Sequence, residues 1–294
     1  MNKKRLSFAD VLCLGLTLLP LVAGILLRVL TKPLEEGISI TGAQVYFTIP
    51  MPLQDLPITE AQVNSWLVIL TVLGLCLFLT RRLSTREIGV RQIVAEWLVE
   101  KADALVKNSM GEYFMGYSAF IAAILGLSAF SSLLSLIGLF PPTSDINVTA
   151  GWAVLVFVLI TYYKSKCGPI RYLKSFAEPV PLLAPLNIIS EVATPVSMAF
   201  RHYGNVLSGT VISVLIASAL QGLSRLVLGW LPGALGEIPF LQIGIPAVLS
   251  IYFDVFSGLL QAYIFAMLTM MYVSGSFPLE EYMNRKKKKK HIGG

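Results

Sequence analysis

A single arginine within an apolar stretch is the first residue of this sequence that could do chemistry. Arg201 lies in "SMAFRHYGNVLSGT" (197–210), inside an apolar segment that runs from about residue 186 to 220. A guanidinium stays protonated at any ordinary pH, and placing one at the centre of a bilayer costs about 2.5–3.5 kcal/mol on insertion scales. The sequence therefore predicts a function that needs a permanent positive charge inside a membrane.

Polar residues recur around Arg201 at helical spacing and form a hydrophilic stripe. Positions four, seven and eleven residues apart share one face of an α-helix. A second stripe of the same kind surrounds Gln261 in the last apolar segment. The first stripe holds Ser190, Thr194, Ser197, Asn205 and Ser208, and the second holds Ser250, Asp254 and Ser257.

Two interpretations of these stripes are open. Serine and threonine hydroxyls join membrane helices by hydrogen bonding, which would account for the hydroxyls alone. It does not account for Arg201, for Asp254, or for Glu191 a short arc away from the first stripe. Because ionisable groups inside a membrane are functional candidates, we favour an ion path. Hydroxyls, amides and isolated carboxylates suit small ions and water better than a large organic substrate.

The composition supports a membrane protein and excludes several other classes. The 294 residues are 55% hydrophobic and 14% charged, with a mean hydropathy of +0.72, whereas soluble domains carry about 25% charged residues. The run Lys286–Lys290 is typical of a juxtamembrane anchor on anionic lipid rather than of a nucleic-acid patch. The three cysteines and two histidines are scattered singly, so we expect no metal site and no cofactor.

Six apolar stretches of about spanning length predict an all-α integral membrane protein. We expect about six membrane helices, the last two long and tilted, and one amphipathic surface helix over Val90–Val106. The first span follows a basic start, so it fits either a retained helix or a signal peptide; the absence of an A-x-A cleavage site favours the helix. The six stretches are Val11–Leu27, Trp66–Thr80, Phe114–Phe140, Thr149–Tyr163, about 186–220 and about 240–273.

Basic residues alternate between the connecting segments and predict the orientation of the chain. The N-terminus, the segment after the second span, the segment after the fourth span and the C-terminal tail are rich in Lys and Arg. The segments between them are poor in basic residues, and cytoplasmic segments are the basic ones in membrane proteins. Both termini are therefore predicted to face the cytoplasm.

Several motifs together resemble one known family, subunit a of F-type rotary ATP synthases. "RHYGNVLSG" resembles the family signature R-L-[FY]-G-N-x-x-[AS]-G, and "LQAYIFAMLTMMYV" is similar to its last-helix motif. "PPTSDINVT", "PLNIISE" and "RQIVAEWLVE" are similar to a loop, a helix approach and a surface helix of the same family. The resemblance covers roughly residues 47–273 in the family's order.

The resemblance implies roles for individual residues. Arg201 falls on the family's essential arginine, Asn205 on its usual partner, and Gln261 on the glutamine that faces the arginine. Glu191 falls on an acidic position of the cytoplasmic-side ion path. The polar positions tied to the opposite half-channel fall on Asp145 and Asn147, and the stripe residues Ser197, Ser208, Ser257 and Asp254 complete the expected ion path.

The resemblance also implies an assembly. It describes a stator subunit, not an enzyme on its own, that loads and unloads H⁺ or Na⁺ on carboxylates of a rotating c-ring. Expected partners are the c subunits, the peripheral-stalk b subunit, the F1 sector indirectly, and the bilayer, with no nucleic acid; the expected location is a bacterial cytoplasmic membrane. The chain divides into an N-terminal helix and extracytoplasmic loop (1–62), the ion-translocation domain (63–275) and a basic tail (276–294).

Three positions depart from the family pattern. Thr210 stands where many relatives have Glu, so Asp254 is expected to supply the titratable group shared by the last two spans. His202 replaces an apolar residue, and the sequence suggests no role for it. Two rival classes are considered. An independent transporter would use Arg201 to bind an anionic substrate, but such transporters often contain an internal repeat, and this sequence has none. A membrane scaffold would not need ionisable stripes.

Overall fold

The computed structural model describes residues 8–31, 42–52, 54–81, 83–85, 88–166, 168–178, 180–228, 244–279 and 282–283. The basic residues before position 8, Cys167 and the lysine run 286–290 lie outside the described residues. Within the described ranges the chain is almost entirely helical, as predicted.

Helices of spanning length form where the sequence is apolar for about 20 residues, the length that crosses a bilayer. Six spans are long and apolar enough, at 8–31, 60–80, 112–137, 146–166, 181–227 and 247–275, which confirms the predicted number. The last two are the longest, with 47 and 29 residues. The α-helices are α1 (Phe8–Thr31), α2 (Glu60–Thr80), α3 (Val90–Met110), α4 (Ser118–Leu133), α5 (Ile146–Lys166), α6 (Pro169–Ser175), α7 (Ala184–Leu228), α8 (Ile245–Ser250) and α9 (Gly258–Gly275).

Most apolar side chains of the spans point outward, as a bilayer requires. Only 6% of the most apolar window of the fifth span is buried, against 22–33% in the other five. The fifth span consists mainly of α7, which carries Arg201. Helix α7 therefore has by far the most surface free for lipid or for another protein.

The core lies where α3, α4, α5 and α9 meet. Val106 and Met110 of α3 are buried there against Phe265 and Met270 of α9 and residues of α4 and α5. The other close pairs are α1 with α2 and α5 with α7. Helices α4 and α9 thus form the inner layer, and the outer helix α7 packs mainly on α5 and reaches this core through Met198.

Helix α1 packs tightly on α2. A Cβ at Gly74 of α2 would lie 2.9 Å from backbone atoms of α1, so only glycine allows this approach. The buried carboxylate of Asp10 in α1 also pairs with Arg91 at 3.1 Å and with Arg81 at 3.8 Å. This packing supports the retained-helix interpretation of the first span, which stays a prediction.

A short hairpin precedes α2 and was not expected, because the sequence analysis treated this region as a loop. Strands β1 (Val45–Ile49) and β2 (Leu56–Thr59) pair antiparallel, with Ile49 opposite Leu56 and an irregularity near Phe47. These are the only strands among the described residues. At four and five residues they are too short for an alternating pattern to identify them.

The predicted amphipathic helix is present as α3, which extends from Val90 to Met110 and so past the predicted end at Val106. Ile93 and Trp97 are exposed, whereas Val106 and Met110 are buried in the core. An exposed apolar face next to a buried end suits a helix that lies in the membrane interface.

Candidate functional site

Arg201 lies on the outer face of α7. Its side chain is exposed, and among the described residues it makes no hydrogen bond or ion pair. Ser197 and Ser208, on the same stripe, are also exposed. At Ser197, Arg201 and Ser208 the polar stripe predicted on this helix therefore faces away from the core, and the charge of Arg201 has no partner among the described residues.

The two predicted stripes meet at one contact, between α7 and the last span. The Ser257 hydroxyl donates a hydrogen bond of 2.7 Å to Asn205 Oδ1, and Asn205 Nδ2 donates one of 3.4 Å to the Ser257 carbonyl. Asn205 lies one helical turn beyond Arg201. This reciprocal pair fixes the register of the last span against α7.

Asp254 lies beside that contact, next to a small cavity of about 10 Å³, the smallest volume into which a single water fits. Besides Asp254 and Asn205, the cavity wall includes Ser132, Ser135 and Gly209. The hydroxyls and amide provide hydrogen-bonding groups around the carboxylate. The site can therefore hold a water or a proton at Asp254, close to the stripe of α7.

The backbone around Asp254 is not a regular α-helix. Residues Ile251–Ser257 form a π-helical segment between α8 and α9. The predicted second stripe assumed α-helical spacing from Ser250 to Gln261. That assumption is wrong, because a turn of π-helix contains more residues than a turn of α-helix. Such segments occur frequently at functional sites, and here one brings Asp254 and Ser257 to α7.

Gln261 and Arg201, which the resemblance places face to face, are not joined by a hydrogen bond in the described structure. Gln261 is buried, with 6% of its surface exposed, on the first turn of α9. The hydroxyl of Thr210 donates to the Val206 carbonyl of its own helix at 3.0 Å, so it satisfies a local backbone group.

Glu191 has a cationic partner that the sequence analysis missed. Lys164 Nζ, in the last turn of α5, donates to Glu191 Oε1 at 2.7 Å, and the glutamate side chain is only 14% exposed. The Tyr172 hydroxyl of α6 donates to the same oxygen at 3.5 Å. Burial and the charge of Glu191 raise the pKa of the Tyr172 phenol above its usual value, so it stays a donor.

Asp145 and Asn147 lie together at the start of α5. Asp145 Oδ1 accepts hydrogen bonds from the Asn147 backbone N–H at 2.9 Å and from Asn147 Nδ2 at 3.0 Å. This is the geometry of a helix N-cap, so Asp145 stabilises the start of α5 whatever else it does.

Comparison with known proteins identifies the family to which the chain belongs. The profile of the family "ATP synthase A chain" matches residues 62–274. The chain belongs to this family. It is therefore an ion-translocating subunit of a rotary ATP synthase, not an enzyme on its own, and it works in a complex with other ATP synthase subunits. Six spans make it a multi-pass membrane protein.

Individual relatives agree with this assignment. The chain is 27% identical over 291 residues to "ATP synthase subunit a, sodium ion specific" of Propionigenium modestum, covering 86% of this chain and 89% of the relative. It is 31% identical to ATP synthase subunit a of Bacillus pumilus, covering 70% and 89%. It is 32% identical to that of Trichlorobacter lovleyi, covering 76% and 88%. Family membership decides against an independent transporter or a scaffold.

Several polar residues of this ATP synthase subunit could not have been found from sequence spacing. Lys164 was counted only as a charge that orients the chain, and Ser132, Ser135 and Tyr172 were not singled out at all. Lys164 and Tyr172 meet Glu191, and Ser135 meets Asp254, across interfaces between elements, whereas Ser132 lines the cavity beside Asp254; no sequence periodicity links these partners. Among the described residues, no three His, Cys, Asp or Glu side chains lie close enough to hold a metal, and Cys13 and Cys76 are free.

Proposed function

We propose that this subunit is the Fo stator subunit a, in which Arg201 gates the passage of H⁺ or Na⁺ between two aqueous half-channels and a rotating c-ring. The supporting observation is that Arg201 is exposed and unpaired on α7, the span with the largest free surface. A guanidinium at membrane depth requires a counter-charge. Because the described chain provides none, the carboxylate comes from a partner that moves past this face.

The chemistry of the gate follows from the cost of burying charge. A ring carboxylate that carries its ion is neutral and can face lipid, whereas an ionised one cannot do so cheaply. Arg201 stabilises the ionised form when the carboxylate arrives, so the ion leaves. The same fixed charge repels any cation that would cross directly. Since one charge moving through 100 mV releases about 2.3 kcal/mol, a leak here would dissipate the driving force.

The positions of the other polar residues support two paths, one on each side of Arg201. Glu191 precedes Arg201 by ten residues on α7, about 15 Å along the helix axis, and Asn205 follows it by about 6 Å. Asp254, Ser257 and Asn205 share the path on the second side. We assign Glu191 to the cytoplasmic path, and Asp145 and Asn147 to the opposite path. Asp145 and Lys164 lie at the two ends of α5, about 28 Å apart.

The orientation with both termini in the cytoplasm is also a proposal. Its support is that basic residues gather at one end of the bundle: Arg81 and Arg91 pair with Asp10 near the start of α1. Lys166, at the end of α5, contacts Tyr113 and lies 5.7 Å from the ring of Phe277, just after α9. Aromatic side chains mark the membrane interfaces, and basic residues mark the cytoplasmic one.

The further partners and the location are proposals that follow from family membership. We place the subunit in a bacterial cytoplasmic membrane, beside a ring of c subunits and a peripheral-stalk b subunit, with the F1 sector reached indirectly. The transported ion is either H⁺ or Na⁺, since one relative is named sodium ion specific and others are not. Comparing ATP hydrolysis by the purified complex with and without Na⁺ decides between the two ions.

The direct test of the proposed function uses two arginines of the same helix. Arg201→Ala is expected to abolish ATP synthesis driven by an ion gradient in vesicles while the complex still assembles. Arg225→Ala, an exposed arginine in the last turn of α7, is the matched control and should keep synthesis within about twofold of wild type. Near-normal synthesis by Arg201→Ala would defeat the proposal.

A further inference from the structure

We propose that His202 is a positioning residue: its imidazole, held between three other helices, fixes the rotation of α7 and so the direction in which Arg201 points. This inference rests on the proposed function of Arg201, whose value as a gate depends on its facing the partner. His202 itself is fully buried, with 0% of its surface exposed, and it cannot touch a passing partner.

The contacts of His202 reach α4, α5 and α9 at once. Its Nε2 lies 3.2 Å from the Ser128 hydroxyl of α4. Its ring meets Trp152 of α5 edge to face, with centroids 5.9 Å apart, and Phe265 of α9 in the same way at 5.5 Å. A single side chain therefore ties the outer helix α7 to both helices of the inner layer and to α5.

Helix geometry transmits this restraint to Arg201. Consecutive residues of an α-helix are about 100° apart around the axis, so a fixed direction at His202 determines the direction at Arg201. Any rotation of α7 that moved the guanidinium would also break the contacts of the imidazole with Ser128, Trp152 and Phe265. Asn205, almost one turn further on, would lose its bond to Ser257 in the same movement. The hydrogen bond to Ser128 adds direction, which apolar packing alone does not provide.

The other ring nitrogen of His202 indicates that this residue does more than stabilise the fold. Its Nδ1 is buried and has no hydrogen-bond partner among the described residues. A buried polar atom without a partner carries a free-energy penalty, which leucine or methionine at this position would avoid. The histidine thus provides something that an apolar residue of similar size does not, and the bond from Nε2 is the directional contact available.

The choice of replacements tests the directional role. Glutamine places its amide nitrogen close to the position of the imidazole Nε2, whereas asparagine reaches only as far as Nδ1, and leucine makes no hydrogen bond. We expect His202→Gln to keep ion pumping driven by ATP hydrolysis within about threefold of wild type, and His202→Asn, His202→Leu and Ser128→Ala each to lose at least fivefold. Pumping is measured in vesicles and expressed per assembled complex. Met198→Leu, a buried change one turn earlier on α7, is the matched control and should lose nothing.

Whether the losses of the two single variants combine in the double variant distinguishes a positioning role from a merely structural one. Because both side chains act through one bond, the double variant Ser128→Ala/His202→Leu should pump no worse than His202→Leu alone. Equal pumping per complex by the Gln, Asn and Leu variants, with only the amount of assembled complex reduced, would overturn the proposal. So would a double variant that loses the product of the two single losses.

A labelling experiment keeps the test independent of pumping. With Cys13, Cys76 and Cys167 replaced by serine, Arg201→Cys provides one thiol on the outer face of α7. Its reaction rate with a water-soluble thiol reagent should change at least threefold when His202→Leu is added and stay unchanged with Met198→Leu. Equal rates in all three backgrounds would contradict the positioning role. If Arg201→Ala pumps normally, the proposed gate is wrong. If Arg201→Ala does not pump but every His202 variant pumps like wild type, the gate stands and only the positioning role of His202 is wrong.

Discussion

Replacing Gly258 by alanine is expected to separate the two helices that hold the site together. Gly258 is the first residue of α9 and directly follows Ser257. A Cβ at this position would lie 2.6 Å from Ser132 Cβ and 3.0 Å from its hydroxyl oxygen, on the facing helix α4. Carbon atoms pack best at about 3.5–4.0 Å, so the overlap is about 1 Å. Because a serine Cβ is fixed to its backbone, one of the helices must move.

The size of the effect follows from this overlap. Overfilling a packed interface typically costs about 1–3 kcal/mol. Because the overlap is between two Cβ atoms and no rotamer change relieves it, the cost lies at about 2–3 kcal/mol. The better helix propensity of alanine returns about 1 kcal/mol, which leaves a net loss of about 1–2 kcal/mol. A shift of about 1 Å would also lengthen the bond from the Ser257 hydroxyl to Asn205 from 2.7 Å to about 3.7 Å, too long for a hydrogen bond. Asp254, in the same π-helical segment, would move with it.

The assay is ATP synthesis driven by an ion gradient in vesicles, expressed per assembled complex. The cost of about 1–2 kcal/mol falls on the arrangement of α4 and α9 that keeps the contact between Ser257 and Asn205. We therefore expect the assembled Gly258→Ala complex to lose about 5–30-fold, the factor by which 1–2 kcal/mol changes an equilibrium between two arrangements. Gly126→Ala on α4 is the matched control, since a Cβ there meets nothing within 4 Å, and it should keep full activity. The second change Ser132→Gly removes the atoms that clash and should restore most of the lost synthesis.

Two results would refute this reasoning about Gly258. The first is a Gly258→Ala complex as active as the Gly126→Ala control, because the close contact would then place no constraint on the site. The second is a double variant with Ser132→Gly that stays as inactive as Gly258→Ala alone, because the loss would then arise from something other than the overlap with α4.

Two further changes probe contacts that lie outside the central site. Lys164→Met leaves the mostly buried Glu191 without its cation and should lower the stability of the complex by about 1–3 kcal/mol, a moderate cost because both groups are partly exposed. In a thermal aggregation assay, adding Glu191→Gln should recover part of that loss. Lys174→Met, at an exposed lysine of α6, is the control and should cost nothing. Gly74→Leu should push α1 away from α2 and lower the aggregation temperature, because its Cβ would meet α1 backbone at 2.9 Å. The control Gly15→Leu, whose Cβ meets nothing within 4 Å, should not lower it. Unchanged aggregation temperatures for Lys164→Met or for Gly74→Leu would contradict the corresponding contact.

The sequence predicted the features whose physical cause is local. The cost of an arginine among apolar residues does not depend on neighbouring helices, so Arg201 and the stripe of α7 could be identified from one segment. Span lengths follow from bilayer thickness in the same way. The amphipathic helix α3 was found from its own periodicity, apart from its last turn.

Other features could not be predicted because they arise between helices. The pairing of Lys164 with Glu191 and of Ser128 with His202 depends on how α4, α5 and α7 pack, which spacing along one helix does not record. The π-helical segment Ile251–Ser257 changes which residues share a face, and a pattern search with a period of 3.6 residues is blind to it. The resemblance assigned a role to Asp254 but could not reveal the cavity beside it.

The central claim is that the charge of Arg201 keeps two ion paths apart. The most direct measurement is ion flux through the complete complex in vesicles with the rotor locked by a cross-link between ring and stator. The account predicts no flux through the locked wild-type complex and a measurable flux through locked Arg201→Ala, because without the fixed charge an ion can pass from one path to the other at a stationary ring. A locked Arg201→Ala complex as tight as wild type would contradict it.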